Sequence, residues 1–320
     1  MTAPVTLGDQ LGEDAALGAV IGQIADAGVV IARELARAAL VGQHGTTGEL
    51  NVQGEVVKKL DVWANLAVVE ALRHAGVVCT IVSEEMEEPL HIDGRCDDGR
   101  YVVCIDPVDG SSNLEINGIV GTIFSVRPRT NGPGHVEADS LQAGTGQVAA
   151  GYIMYGPATV LVLTTGAGVD VFTLDREHAR FVRSQGAVRI PVKGRIYSIN
   201  EANAAKWEPG VRAFVDHLKS GGAGRSYSAR YVGSLVADFH RTLLEGGIFM
   251  YPAETKSPGK LRLQYECAPI SFLAEQAGGR GSTGRRPIME VVPNSYHERA
   301  ALLVGSPDDV ALAEEFIRRG

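Results

Sequence analysis

The 320-residue chain is short of everything that marks a disulfide-built, membrane-bound or nucleic-acid-binding protein. It has four cysteines, at positions 79, 96, 104 and 267, and none of them is in a CxxC spacing. A disulfide framework is not expected at this size and spacing, and a reducing cytoplasm is the expected compartment. Cys79 and Cys104 lie in apolar runs and read as buried hydrophobes. None of the 8 histidines falls in an HxxxH spacing, so nothing specific supports zinc. No run of about twenty uninterrupted apolar residues occurs. The stretch Leu17 to Ile31 is broken by Gln23 and Asp26, so a membrane protein is not expected. Residues Met1 to Gln10 carry neither a basic segment nor an apolar core, and no signal peptide is expected. Basic runs are missing too. Lys plus Arg number 30 against 38 Asp plus Glu, a net charge of −8, which is a poor match for a phosphate backbone.

What is present is apolar and evenly spread. Hydrophobic residues make up 45% of the chain and mean hydropathy is +0.02, ample core for one large domain or for two halves sharing a sheet. Leu17 to Leu40 carries Leu17, Val20, Ile21, Ile24, Ile31 and Leu35 at helical spacing, which predicts a long amphipathic helix. Gly42 to Gly54 is polar and glycine-rich and reads as a loop. A second helix is predicted over Asp61 to His74, with Trp63, Leu66, Val69, Ala71 and Leu72 inward. Strands are predicted at Val77–Val82, Tyr101–Ile105, Gly121–Arg127, Val148–Tyr155, Thr159–Thr165, Val169–Leu174, Ile248–Tyr251 and Ala301–Val304. Helices are predicted at Val211–Leu218, Gly233–Glu245, Ala268–Gln276 and from Pro307 onward. Thr130 to Gly146 reads as a polar surface excursion. Alternating helix and sheet layers without a linker predict an α/β fold of two intimately packed halves, residues 1–185 and 186–320, with the seam between Asp175 and Val192.

Two of the apolar strands run straight into acid. After Val77–Val82 comes Ser83-Glu84-Glu85-Met86-Glu87-Glu88, and after Tyr101–Ile105 comes Asp106-Pro-Val-Asp-Gly-Ser-Ser-Asn113. The second segment is a turn stiffened by Pro107 and closed by Gly110, with hydroxyls and free N–H groups behind its carboxylates. Hard cations take carboxylate and carbonyl oxygens, and phosphates take N–H and O–H donors. Ligands of open α/β sheets collect at such strand ends. An ordinary turn after a buried strand has the same local pattern, and Glu87 and Glu88 read as solvated. Asp61 could equally be a helix cap, and Glu266 an incidental acid at a helix start. Gathered together, however, these acids repel one another by about 1 kcal/mol per pair in water at 4 Å, and several-fold more in a cleft. Two or more Mg²⁺ or Mn²⁺ ions would relieve that, giving a multi-metal phosphoryl-transfer site.

The blocks Ser83-Glu84-Glu85, Asp106 to Ser112, Tyr197-Ser-Ile-Asn-Glu201, Ala229-Arg-Tyr-Val-Gly-Ser234, Phe249-Met-Tyr-Pro-Ala253 and Gly259 to Glu266 resemble class I fructose-1,6-bisphosphatases. They do so in one order from about Asn51 to Gly279. The Asp106–Asn113 block alone marks only the wider lithium-sensitive sugar and inositol phosphatase superfamily; the later blocks are more specific. The resemblance implies a sugar-phosphatase fold and metal ligation by Glu84, Asp106, the Val108 carbonyl, Asp109 and Glu266. It implies that Asp61 and Glu85 take a proton from the attacking water. Asp109, Gly110, Ser111 and Ser112 would cradle the 1-phosphate, and Asn200, Tyr231, Tyr251 and Lys260 the distal 6-phosphate. Arg230 would reach a neighbouring subunit, implying a homotetramer acting on a small sugar bisphosphate.

Departures from the family pattern limit these expectations. Asn203 stands where a tyrosine is usual, so one phenolic contact to the distal phosphate is expected to be lost. Glu55 stands where an aspartate usually touches a third metal. No AMP pocket is matched before Leu17, although Arg100-Tyr101 resembles part of one, and weak or absent AMP inhibition is expected. The excursion Thr130 to Gly146 has no cysteine, so a plastid-type thioredoxin switch is not expected. The alternatives are a sedoheptulose-1,7-bisphosphatase or dual-specificity enzyme, an inositol-type monophosphatase, and an inactive sugar-phosphate sensor.

Overall fold

Helix Ala15–Leu35 has one apolar face, Val20, Ile21, Ile24, Ala27 and Ile31, and lays it on a large sheet. A computed structural model of the chain describes residues 5–11, 14–42, 45–50, 56–92, 94–131, 135–222 and 224–320, so the Asn51 to Glu55 loop and its Glu55 lie outside the described residues. The sheet has 8 strands, in the spatial order Arg180–Gln185, Asp170–Asp175, Thr159–Thr164, Ala149–Tyr155, Val120–Pro128, Tyr101–Asp109, Val78–Ser83 and Leu90–His91. Every pairing is antiparallel except that of Val78–Ser83 with Tyr101–Asp109. Alternate residues of its strands feed two cores. Phe124, Ile153 and Leu161 face helices Ala15–Leu35 and Lys59–His74, whereas Ile123, Tyr152 and Val162 face helices Leu235–Glu245 and Ala268–Gln276. Truncating a side chain such as Phe124, which has 0% exposure, to alanine would cost about 3–5 kcal/mol.

A second sheet of 5 strands continues the stack, in the order Ser228–Ala229, Ile196–Ser198, Ile248–Tyr251, Leu302–Gly305 and Arg280–Ser282. Phe249, Leu302 and Val304 face the shared middle helices. Ile248, Met250 and Leu303 face the outer helices Pro209–Lys219 and Pro307–Arg319. The result is helix, sheet, helix, sheet, helix, the layered α/β arrangement expected from the sequence. Helix Ala15–Leu35 is long and apolar enough to cross a membrane by length and composition, but half of its most apolar window is buried inside the protein.

Several local expectations are corrected. Helix Ala15–Leu35 stops before Leu40, which is 88% exposed in the turns that follow. In helix Lys59–His74 the buried stripe is Leu60, Ala64, Val68 and Leu72, with Trp63, Val69 and Ala71 packed part-buried beside it, so of the residues expected inward only Leu66, 62% exposed, faces out. The glycine-rich segment after Gly42 contains strand Thr46–Leu50, paired with Val56–Lys58. Strand Arg180–Gln185, mostly exposed at the sheet edge, offers only Phe181 and Val182 as an apolar signal, too short a run to announce a strand. The Thr130 to Gly146 excursion is anchored, because buried Asp139 accepts from the Thr130 and Asn131 N–H groups and pairs with Arg129 at 3.3 Å. Finally, Cys79 and Cys96 form a disulfide, against the expectation of none, while Cys104 and Cys267 are free and buried.

Candidate active site

Asp106 and Asp109 are three residues apart on one strand, which in regular pleating would place them on opposite faces. The strand is not regular there. Asp106 pairs with Ile123 and Asp109 with Gly121, so one extra residue is accommodated between them. This bulge brings both carboxylates to one side. Gly121 matters for a second reason: a Cβ there would lie 2.6 Å from Val236 Cγ2. Without it, the start of helix Leu235–Glu245 closes on the strand, and the Val236 N–H and Ser234 hydroxyl donate to Asp109 at 3.1 and 3.2 Å.

The other acids arrive from three directions. The Glu84 N–H donates to the Ile105 carbonyl at 3.1 Å, extending the parallel pairing so that Glu84 shares a hydrogen bond with Asp106. Glu266 comes from the C-terminal half on a π-helical turn, Leu263–Cys267, whose extra residue turns the carboxylate inward. Carboxylate oxygens of Asp106, Asp109 and Glu266 all lie within 4.8 Å of one another. Asp61 sits in the first turn of helix Lys59–His74, accepts from the Ser111 hydroxyl and reaches back to the Lys58 N–H. It is therefore not the residue that precedes and caps that helix, which is Lys58.

Burial and mutual repulsion push these carboxyls far from their ordinary range. Asp106 and Glu266 rise well above it, first through burial and then through the charge of Glu84. Asp61 and Asp109 are each pushed up to about 7, burial again leading. Asp61 Oδ1 is buried without a hydrogen-bond partner. An all-oxygen donor set, crowded and under-neutralised, with one orphaned oxygen facing it, fits divalent ions of the Mg²⁺ type.

The acids floor a cleft of about 170 Å³ that is also lined by Glu85, Val108, Gly110, Ser111, Ser112, Tyr231, Tyr251 and Lys260. Gly110 has φ 76°, a left-handed turn that leads into Ser111 and Ser112. At the far end, the Lys260 ammonium lies 6.0 Å from the centre of the Tyr251 ring. Tyr231 shares a hydrogen bond with Asn200, and burial with nearby negative charge pushes its phenol up to about 12, so it stays a donor. Asn200 itself lines an adjoining pocket with Asn203 and Tyr251. Arg230 does not line the cleft of its own chain; it is exposed, with Nη1 donating to the Ala229 carbonyl at 2.8 Å.

Some members of the site were not singled out from the sequence. Arg262 pairs with Glu84 at 3.3 Å, and Ser234 holds Asp109. Both lie inside the motif blocks quoted above, yet nothing in their spacing announces which acid they meet. Glu87 is exposed, as read, and its carbonyl lies 3.1 Å from His297 Nε2.

Stacked helix and sheet layers, with a crowded acid floor at the strand ends and hydroxyl and cationic groups along the walls, define a phosphatase of the sugar-phosphatase fold. Comparison with known proteins narrows this. Residues 7–186 match the family model for the fructose-1-6-bisphosphatase N-terminal domain, and residues 190–318 match its C-terminal domain. The chain is 50% identical over 306 residues to a class 1 fructose-1,6-bisphosphatase of Thermosynechococcus vestitus, covering 95% of this chain and 87% of that one. A class 1 fructose-1,6-bisphosphatase of Trichormus variabilis is 47% identical over 307 residues, with the same shares covered. The crystal structure of Leishmania major fructose-1,6-bisphosphatase in holo form superposes with a TM-score of 0.93 at 39% identity, covering 99% of this chain and 100% of that one. The chain belongs to the fructose-1,6-bisphosphatase family.

Proposed function

We propose that the chain hydrolyses the 1-phosphate of fructose 1,6-bisphosphate, giving fructose 6-phosphate and phosphate. The observation that supports this most is the meeting of Asp106, Asp109 and Glu266 from both halves of the chain, with Glu84 bonded to Asp106. In this reading Glu84, Asp106, the Val108 carbonyl, Asp109 and Glu266 hold two or more Mg²⁺ or Mn²⁺ ions. When bound, such ions neutralise the acids and the substrate phosphate and acidify a water. Asp61 and Glu85 accept the proton of the attacking water, Asp61 being kept basic enough by its buried position. The Ser111 and Ser112 hydroxyls, with the N–H groups of the Asp109–Ser112 turn, hold the reacting phosphate in line.

Asn200, Tyr231, Tyr251 and Lys260 take the distal phosphate. A monophosphate needs no such second clamp, and the acid set is complete, so the monophosphatase and inactive-sensor readings have less support. In the proposed cytoplasmic homotetramer Arg230, exposed in its own chain, completes the site of a neighbouring subunit. Residues 1–185 then supply most of the acids and residues 186–320 the distal phosphate site. Phosphate release from fructose 1,6-bisphosphate and from sedoheptulose 1,7-bisphosphate, with Mg²⁺, tests the assignment. Higher kcat/KM on the first is expected, and preference for the second would overturn it.

A further inference from the structure

Asp238 has 0% exposure, lies inside helix Leu235–Glu245, and spends its carboxylate on the loop before that helix. The Val232 N–H donates to its two oxygens at 3.1 and 3.0 Å, and the Gly233 N–H donates to one of them at 3.0 Å. Arg241 Nη1 pairs with the same carboxylate at 3.1 Å and reaches the Arg230 carbonyl at 3.5 Å. Gly233 has φ 84°, and successive N–H groups beside such a residue form a concave anion seat. Here the anion is the protein's own.

The loop is otherwise held at its ends, by the Arg230 N–H on the Tyr197 carbonyl at 3.0 Å and by Asn113 Nδ2 on the Gly233 carbonyl at 3.4 Å. Tyr231 and Val232 are 39% and 40% exposed, so side-chain packing contributes little to fixing them. Yet Tyr231 faces the cleft and meets Asn200, while Ser234 and Val236 on the other side of the loop donate to Asp109. A single buried carboxylate therefore stands behind the phenol at the distal end of the cleft, without touching the cleft itself.

We propose that Asp238 is a positioning residue that fixes Tyr231 through the Val232 and Gly233 N–H groups, and so sets the preference for a substrate carrying a second phosphate. The inference rests on the reading that the cleft takes a sugar bisphosphate. Loss of the carboxylate frees the loop, the phenol no longer waits in place, and binding of the distal phosphate bears the cost of ordering it. The reacting end, held by other contacts, is affected less.

The test compares wild type, Asp238→Asn, Tyr231→Phe and the double variant on fructose 1,6-bisphosphate and fructose 1-phosphate with Mg²⁺. Asp238→Asn is expected to raise KM for the bisphosphate about tenfold, with kcat within about threefold and kcat/KM on fructose 1-phosphate changed by less than about threefold. Adding Tyr231→Phe to it should bring little further loss, because both act through one contact. Arg241→Gln, which leaves the carboxylate in place, should shift KM the same way but less. Equal losses on both substrates, or fully additive effects, would overturn the inference and leave Asp238 a structural residue. A wild-type enzyme with no preference for the bisphosphate would instead overturn the substrate assignment on which it rests.

Discussion

The Arg262 guanidinium pairs with Glu84 at 3.3 Å, and the same residue's main-chain N–H donates to Glu266. One residue thus steadies two acids that come from opposite halves of the chain. Its side chain is 4% exposed and that of Glu84 13%, so the pair is largely out of water. Removing one partner of a buried pair costs about 3–5 kcal/mol, because the other charge is left uncompensated. Arg262→Met is therefore expected to lose about that much stability in cation-free buffer, and to recover part of it with Mg²⁺. Urea denaturation with and without Mg²⁺ checks this; the same loss in both conditions would contradict it.

The raised carboxyls make stability and cation binding depend on pH in a stated direction. Asp61 and Asp109 are pushed up to about 7, and Asp106 and Glu266 are raised well above the ordinary range too, burial leading in each case. A carboxyl raised on folding holds its proton in the native state after the unfolded chain has lost it. Its stabilising contribution is full below about pH 4 and is lost as pH rises through the folded value. Cation-free protein should show a Tm that falls from about pH 5 to pH 8, against a nearly flat profile with saturating Mg²⁺. The Mg²⁺ needed for half-maximal activity should fall over the same range, since fewer protons compete. A cation-free Tm rising with pH would contradict the crowding of acids.

The disulfide Cys79–Cys96 closes a loop with a sequence separation of 17, and Glu84 and Glu85 lie inside it. Closing a loop of this size stabilises a protein by about 3 kcal/mol. Dithiothreitol is expected to lower Tm in the wild type and to leave Cys96→Ser, already lower, unchanged. Equal melting of oxidised and reduced protein would contradict a structural role for the bond.

Helix Ala15–Leu35 begins at a carboxylate. Asp14 accepts from the Ala16 and Leu17 N–H groups at 3.0 and 3.1 Å and from the Tyr101 hydroxyl at 3.3 Å. These are the donors that a nucleotide phosphate would seek at a helix start, and a negative charge already holds them. AMP at about 1 mM is expected to change kcat/KM less than twofold, as a titration of initial rates would read. Strong inhibition would contradict the assignment.

Much of this was legible because strands buried on both faces announce themselves as unbroken apolar runs. The run Tyr101–Ile105 and the acids after it are read that way, although the strand itself continues through Asp106 to Asp109, and helix Ala268–Gln276 is bounded as its pattern indicates. Features made by contact between distant segments were not. Asp106 and Asp109 sharing a side depends on a bulge opposite Ile123 and Gly121, which no single-strand pattern encodes. The inward aim of Glu266 depends on a π turn, and Asp238 reads as one more acid on a helix until its loop partners are seen. Cys96 meets Cys79 only because the chain turns back beside strand Val78–Ser83. Phase also misleads where apolar residues are abundant, as with Leu66.

On the proposed mechanism, acids gathered from across the chain work only with divalent cations among them. Phosphate release from fructose 1,6-bisphosphate with Mg²⁺, with and without EDTA, on wild type and Glu84→Gln tests it directly. Activity should vanish with EDTA and fall by at least about a hundredfold in Glu84→Gln, corresponding to about 2.7 kcal/mol or more of transition-state stabilisation. Hydrolysis that persists in EDTA, or a fully active Glu84→Gln enzyme, would contradict it.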